Sequence, residues 1–136
     1  MIRKHIYSSV YVLDQDRAKL FYTEKLGFEV REDERMGNFR WLTVAPKAQP
    51  DAAIILMPIA EGPMIDAESA GMLRTLLKKG VLGGGVLDTD DCRRDYEELK
   101  ARGVEFVREP KEMPYGVEAL LRDDSNNFYS LTERRR

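Results

Sequence analysis

Few side chains in this sequence have the chemistry to act as an acid, a base or a nucleophile. His5 is the only histidine and Cys92 the only cysteine among the 136 residues. A serine nucleophile needs an adjacent base, and a single histidine disfavours such an arrangement. The serines in strand-like runs, such as Ser9 and Ser130, are therefore expected to give hydrogen bonds to a bound molecule. A single cysteine also excludes an internal disulfide and a zinc cluster built on cysteines.

Glu118 is the carboxylate that the sequence places best for chemistry. In the run YGVEALLRD the alternate residues Val117, Ala119 and Leu121 form an apolar set suited to packing on a helix. Strand alternation then turns Glu118 to the opposite face, toward a cavity. There it could act as a general base with a raised pKa, or could anchor an amine or guanidinium group of a ligand. It could equally form an ion pair with Arg40 in the matching strand of the first half.

Three consecutive glycines, centred on Gly84, interrupt the strand-like run GVLGGGVLD. Glycine inside a strand marks a bend or a place where another group approaches the backbone closely. The sequence leaves both explanations open. Met57 belongs to a set of methionines expected around the rim of the cavity, where their flexible side chains suit a bulky apolar ligand, a dimer interface or plain core packing.

The chain contains the same order of elements twice. VYVLDQDRAKLFYTEKLGFEV and GVLDTDDCRRDYEELKARGVEFV each read as a strand, a helix and the start of a new strand, and a shift of 76 residues places Asp14 on Asp90. Both aspartates are predicted to cap a helix, and Gly27 and Gly103 are predicted to end these helices.

Three further strand-like runs follow each helix, so each half is predicted to be a βαβββ module. Module one covers about residues 1–60, a linker with a short helix about 61–80, and module two about 81–134. The sequence therefore predicts a single α+β domain. Since one helix covers only one face of a four-stranded sheet, the modules are expected to pair and to curve around a central cavity.

Composition limits the partners and the location. The net charge of −2 offers no basic surface for nucleic acid, and no apolar run reaches the length of a membrane span. The expectation is a cytoplasmic protein that binds neither nucleic acid nor membrane.

The stretches VLDQDRAKLFYTEKLGFEV, TDDCRRDYEELKARGVEF and LRDDSNNFYSLTE resemble the vicinal oxygen chelate superfamily of glyoxalases, bleomycin resistance proteins and ring-cleaving dioxygenases. The resemblance implies paired βαβββ modules that form a cup-shaped mixed sheet, commonly completed by a second subunit. We therefore expect a homodimer.

The resemblance also implies which positions would hold a metal: Tyr7, one residue of the run Ile54 to Met57, Gly84 and Ser130. These residues are poor ligands for zinc or a hard cation, so the expectation is no metal and no cofactor. The predicted function is a binding protein that sequesters an apolar or aromatic small molecule, with ligand contacts from Tyr7, Ser9, Arg40, Met57, Gly84, Glu118 and Ser130. The alternative is a metal-independent lyase or isomerase that acts on a small carbonyl compound, in which Glu118 or His5 moves a proton.

Overall fold

A computed structural model describes residues 1–135 of the chain. The first module comprises β1 (Tyr7–Val12), α1 (Gln15–Leu20), a π-helical turn (Phe21–Lys25), β2 (Glu29–Met36), β3 (Phe39–Ala45) and β4 (Ala53–Pro58). The linker holds α2 (Ala67–Lys79). The second module comprises β5 (Gly83–Asp88), α3 (Cys92–Ala101), β6 (Phe106–Met113), β7 (Gly116–Arg122) and β8 (Phe128–Arg134). The predicted pair of βαβββ modules is confirmed.

Each module forms its own four-stranded sheet, in the order β1-β4-β3-β2 and β5-β8-β7-β6. The first and last strands of a module run parallel and the other neighbours antiparallel, so both sheets are mixed. Helices α1 and α3 pack on their sheets, and buried residues from both modules form one hydrophobic core. The architecture is α+β, as predicted.

The two module helices begin with an aspartate cap, but one cap differs from the prediction. Asp14 accepts from the backbone N–H of Arg17, as expected, whereas the cap of α3 is Asp91 rather than Asp90. The chain from Asp14 to Gly27 is one residue longer than that from Asp91 to Gly103. The π-helical turn after α1 absorbs the extra residue, because its wider hydrogen-bonded ring accommodates one more residue per turn. A constant shift of 76 residues therefore misaligns the caps.

The turn between β7 and β8 fastens the two modules together. Ser125 accepts a hydrogen bond from the backbone N–H of Leu13, and Asn127 donates to the carbonyl of Tyr11. Nearby, the buried Tyr22 hydroxyl donates to Asp123 at 2.6 Å. These contacts join residues more than 100 positions apart, so the packing of one module depends on the other.

The predicted linker helix is present, and it buries only a narrow face. Ala70 and Leu77 are buried, and Leu73 and Tyr11 of β1 pack against the same cluster. Met72 and Leu76, two other large apolar residues of the helix, are 56% and 41% exposed. Within residues 1–135, no helix combines the length and apolar character needed to cross a membrane.

Candidate functional site

Helices α1 and α3 cover only one face of each sheet, and we call the other face the open face. Side chains that alternate with the core residues Val10, Leu42 and Leu56 belong to the open face of the first sheet. This face carries Tyr7, Ser9, Glu32, Trp41, Thr43 and Met57. By the same alternation, the open face of the second sheet carries Glu118, Leu120, Ser130 and Thr132.

Glu118 is the centre of a hydrogen-bond network on the second open face. Its Oε1 accepts from Arg108 at 2.6 Å and from the hydroxyl of Tyr115 at 2.7 Å. Its Oε2 accepts from Ser130, whose hydroxyl also lies 2.6 Å from that of Thr132. Because Ser130 gives its proton to Glu118, Thr132 must donate to Ser130. Glu118 and Ser130, both predicted as ligand-binding residues, are therefore in direct contact.

This network works against Glu118 as a general base. Burial is the largest single influence and raises the pKa of Glu118, but hydrogen bonds from Ser130, Tyr115 and Arg108 together outweigh it. The pKa of Glu118 therefore lies below its usual value, not above it as a catalytic base would require. Both carboxylate oxygens are already occupied by donors.

Arg40 does not pair with Glu118, contrary to one of the alternatives raised by the sequence. Its guanidinium binds Asp33 at 2.8 Å and Asp16 at 2.6 Å. Arg40 alternates with the same set as Leu42, so it lies on the helix-covered face, beside the start of α1. The structure thus separates Arg40 from the other predicted ligand-binding residues.

Glu32 is a residue of the first open face that the sequence reasoning missed. Its Oε1 accepts from the Tyr7 hydroxyl at 2.7 Å and from Thr43 at 3.3 Å. The ring of Trp41 meets that of Tyr7 edge to face, with the ring centroids 5.2 Å apart. A bulge between Val30 and Glu32 inserts one extra residue into β2 and turns Glu32 to the open face.

The central glycine of the GGG run is required by the protein's own side chain. A Cβ atom on Gly84 would lie 2.3 Å from Cζ of Tyr129, whose ring is buried in the shared core. The close approach that the sequence indicated is therefore with Tyr129. A bulge between Gly83 and Gly85 also disturbs the pairing with β8, so the bend that was the other explanation is present too.

Three predicted residues line a groove between the modules. A cavity of about 280 Å³ is lined by His5, Tyr7 and Gly84, and it adjoins a larger one of about 600 Å³ along Val86 and Leu87. His5 is exposed, and its Nε2 lies 3.2 Å from the hydroxyl of Ser8. Ser9 is exposed and Met57 half-buried on the first open face. Apart from Arg40, the predicted residues thus lie along this groove or on the two open faces.

The fold and these sites define a member of a known class. The sequence matches the Glyoxalase/Bleomycin resistance protein/Dioxygenase superfamily over residues 4–129, and the chain belongs to this family. It is similar to the crystal structure of UcmS2, with 47% identity, a TM-score of 0.91 and coverage of 97% of this chain and 99% of that one. It is also similar to TnmS3, an antibiotic binding protein from Streptomyces sp. CB03234, with 33% identity, a TM-score of 0.78 and 99% coverage of both chains. The uncharacterized protein YetH of Bacillus subtilis (strain 168) is 34% identical over 98% of this chain and 100% of its own length.

The positions that would hold a metal in such a fold do not fit one here. Gly84 offers no side-chain donor, and the run Ile54 to Met57 offers only the thioether of Met57. Tyr7 and Ser130 offer neutral hydroxyls that already donate to carboxylates. In the part of the chain that the structure describes, no three His, Cys, Asp or Glu side chains converge as metal ligands would.

Proposed function

We propose that this protein is a metal-independent binding protein that sequesters an apolar or aromatic small molecule against the open faces of its sheets. The observation that carries the proposal is the half-buried pair Tyr7 and Trp41, which presents two aromatic rings on a face that neither α1 nor α3 covers. Large aromatic side chains at a partly exposed surface favour stacking with a flat ligand. The similarity to an antibiotic binding protein supports the same conclusion.

Each residue has a distinct role in this proposal. Tyr7 and Trp41 supply the aromatic surface, and Met57 adapts its shape to the edge of the ligand. Ser9 is exposed beside them and can give or accept a hydrogen bond. On the second face, Glu118 and Ser130 form a polar patch held in place by Arg108 and Tyr115.

A second copy of the chain is the proposed cover for the open faces. Val86, Phe128 and Tyr115 are 69%, 36% and 46% exposed at or beside the second open face, and exposed apolar groups in such numbers favour an interface. The proposed assembly is therefore a homodimer, with the ligand enclosed between subunits. The proposed location is the cytoplasm, where the buried thiol of Cys92 stays reduced.

Binding can be followed through Trp41, the only tryptophan in the chain. A flat aromatic probe such as an anthraquinone should quench Trp41 emission on titration, with calorimetry as an independent measurement of Kd. Replacing Tyr7 by alanine should weaken binding by about tenfold, because one stacking ring is lost. Tyr96→Ala is the matched control, because Tyr96 lies on α3 and meets the ring of Phe106 edge to face, with centroids 4.7 Å apart. This change should alter Kd less than about twofold.

Three outcomes would contradict the proposal: no heat and no quenching with aromatic probes, equal weakening by Tyr7→Ala and Tyr96→Ala, or stabilisation by a divalent metal that a chelator reverses. Sedimentation of the protein with and without probe tests the dimer separately. A monomer that binds the probe with unchanged affinity would overturn the enclosed site but leave the binding function intact.

A further inference from the structure

Glu32 lies beside two aromatic residues, Tyr7 and Trp41, and it also lines a cavity. Its carboxylate receives the Tyr7 hydroxyl at 2.7 Å, and Trp41 packs edge to face on the Tyr7 ring. A cavity of about 310 Å³ opens beside them and is lined by Ile6, Tyr7, Glu32 and Ala53 among others. The cavity is large enough for a small polar group of a ligand whose main body covers the aromatic pair.

No cation within residues 1–135 forms an ion pair with Glu32, whereas several other strand carboxylates are ion-paired. Asp33, the next residue on β2, binds both Arg40 and Lys19. Glu118 binds Arg108 on the second sheet. Among the described residues, Glu32 accepts hydrogen bonds only from neutral donors, the hydroxyls of a tyrosine and a threonine.

The charged residues nearest to the cavity already have partners. Arg31 pairs with Glu29 at 3.1 Å and donates to the carbonyls of Pro46, Gln49 and Pro50. Asp51, at the cavity mouth, lies 3.7 Å from Lys4. The hydrogen bond from Tyr7, with smaller contributions from the nearby Trp41 and Thr43, holds the pKa of Glu32 below its usual value. Glu32 therefore keeps an uncompensated negative charge at neutral pH.

We propose that Glu32, Tyr7 and Trp41 form a subsite for a positively charged nitrogen group, such as a protonated amine carried by the aromatic ligand. A carboxylate attracts the cation directly, and the faces of tyrosine and tryptophan rings favour positive charge. This inference rests on the proposed function, because the aromatic body of the ligand must occupy the open face for its amine to reach Glu32.

A pair of flat probes tests the subsite: 9-aminoacridine, which is cationic at pH 7.5, and acridine, which is neutral there. The wild-type protein should bind the cation about fivefold more tightly than the neutral ring. Glu32→Gln keeps an oxygen that can accept the Tyr7 hydrogen bond but removes the charge. This variant should therefore bind the two acridines with about equal affinity. Glu112→Gln, at an exposed position on β6, makes the same change in net charge and should keep the preference.

The result separates the subsite from the proposed function. If both acridines bind with equal affinity, or if Glu32→Gln keeps the preference, the subsite is overturned while aromatic binding stands. If neither acridine binds, both proposals fail together. An equal loss of preference in Glu32→Gln and Glu112→Gln would also overturn the subsite, because the effect would then come from overall charge. Circular dichroism of each variant confirms that the fold is unchanged.

Discussion

Replacing Gly84 by alanine should cost about 3 kcal/mol of folding free energy, although the change adds a single methyl group. The new Cβ would lie 2.3, 2.5 and 2.7 Å from three atoms at the end of the Tyr129 ring. Tyr129 is 1% exposed, and its hydroxyl lies 2.8 Å from that of Tyr22. The ring must move within a packed core, which costs about 1–3 kcal/mol, and movement weakens a buried hydrogen bond worth about 1 kcal/mol.

Urea unfolding, followed by circular dichroism, measures this free energy, and the neighbouring glycines are matched controls. Gly83→Ala should cost less than about 1 kcal/mol, because its Cβ meets the ring of Phe128 at 3.0 Å and that ring is exposed enough to move. A Cβ atom on residue 85 would meet no atom within 4 Å, but Gly85 has a φ of +123°. Gly85→Ala should therefore cost about 1–2 kcal/mol in backbone strain.

A second substitution tests the cause of the loss. In a Tyr129→Leu background, Gly84→Ala should cost at least about 1.5 kcal/mol less than in the wild type, because the shorter side chain leaves space for the methyl group. Equal costs in the two backgrounds, or a Gly84→Ala variant as stable as the wild type, would refute the clash with Tyr129 as the reason for this glycine.

Two further predictions concern titrating carboxylates. Burial, followed by the charge of Asp123, raises the pKa of Asp124 to about 6. The folded protein therefore binds the proton of Asp124 more tightly than the unfolded chain does. The resulting contribution to folding stability is lost as pH rises through about 6. Asp124→Asn should stabilise the protein by about 1 kcal/mol at pH 8, after allowance for partial solvent exposure, and by less at pH 5, as measured by urea unfolding at both values. Arg108→Met should cost about 2 kcal/mol at pH 7 by leaving Glu118 without its cation. Because the pKa of Glu118 is lowered from its ordinary value of 4.5, that cost should shrink as the pH falls below 4.5 and through the lowered pKa, where the carboxylate takes up a proton. A deficit independent of pH would contradict the ion pair.

The module repeat could be predicted from sequence because it depends on local patterns. Alternation of apolar residues located the strands, including the packing of Val117, Ala119 and Leu121 on the helix side. The cap of α3 was misplaced by one residue because a π-helical turn has no recognisable signal in FYTEK. Such an insertion changes the spacing between repeats without changing their order.

The site was harder to predict because its residues are placed by contacts between strands. Strict alternation from the core residue Val30 would turn Glu32 toward α1, and only the bulge in β2 reverses this. Arg40 alternates with Leu42, and this alone could have excluded its pairing with Glu118. The role of Gly84 depends on the ring of Tyr129 in a strand more than 40 residues away, which no local pattern specifies.

Each module contains a bulge that turns a charged residue to its open face, but the two residues carry opposite charges. A bulge near the start of β6 turns Arg108 to the open face, as the bulge in β2 does for Glu32. The strand beside Arg108 supplies Glu118, so the second module neutralises its own charge. In the first module, the residue that corresponds to Glu118 is Trp41, because it lies two residues before the cross-strand partner of Glu32. An aromatic ring cannot neutralise a carboxylate but can stack on a flat ligand, so Glu32 keeps its charge beside two rings. In the proposed binding mode, this asymmetry lets the first module contact both the rings and the charge of the ligand, whereas the carboxylate of the second module is already ion-paired.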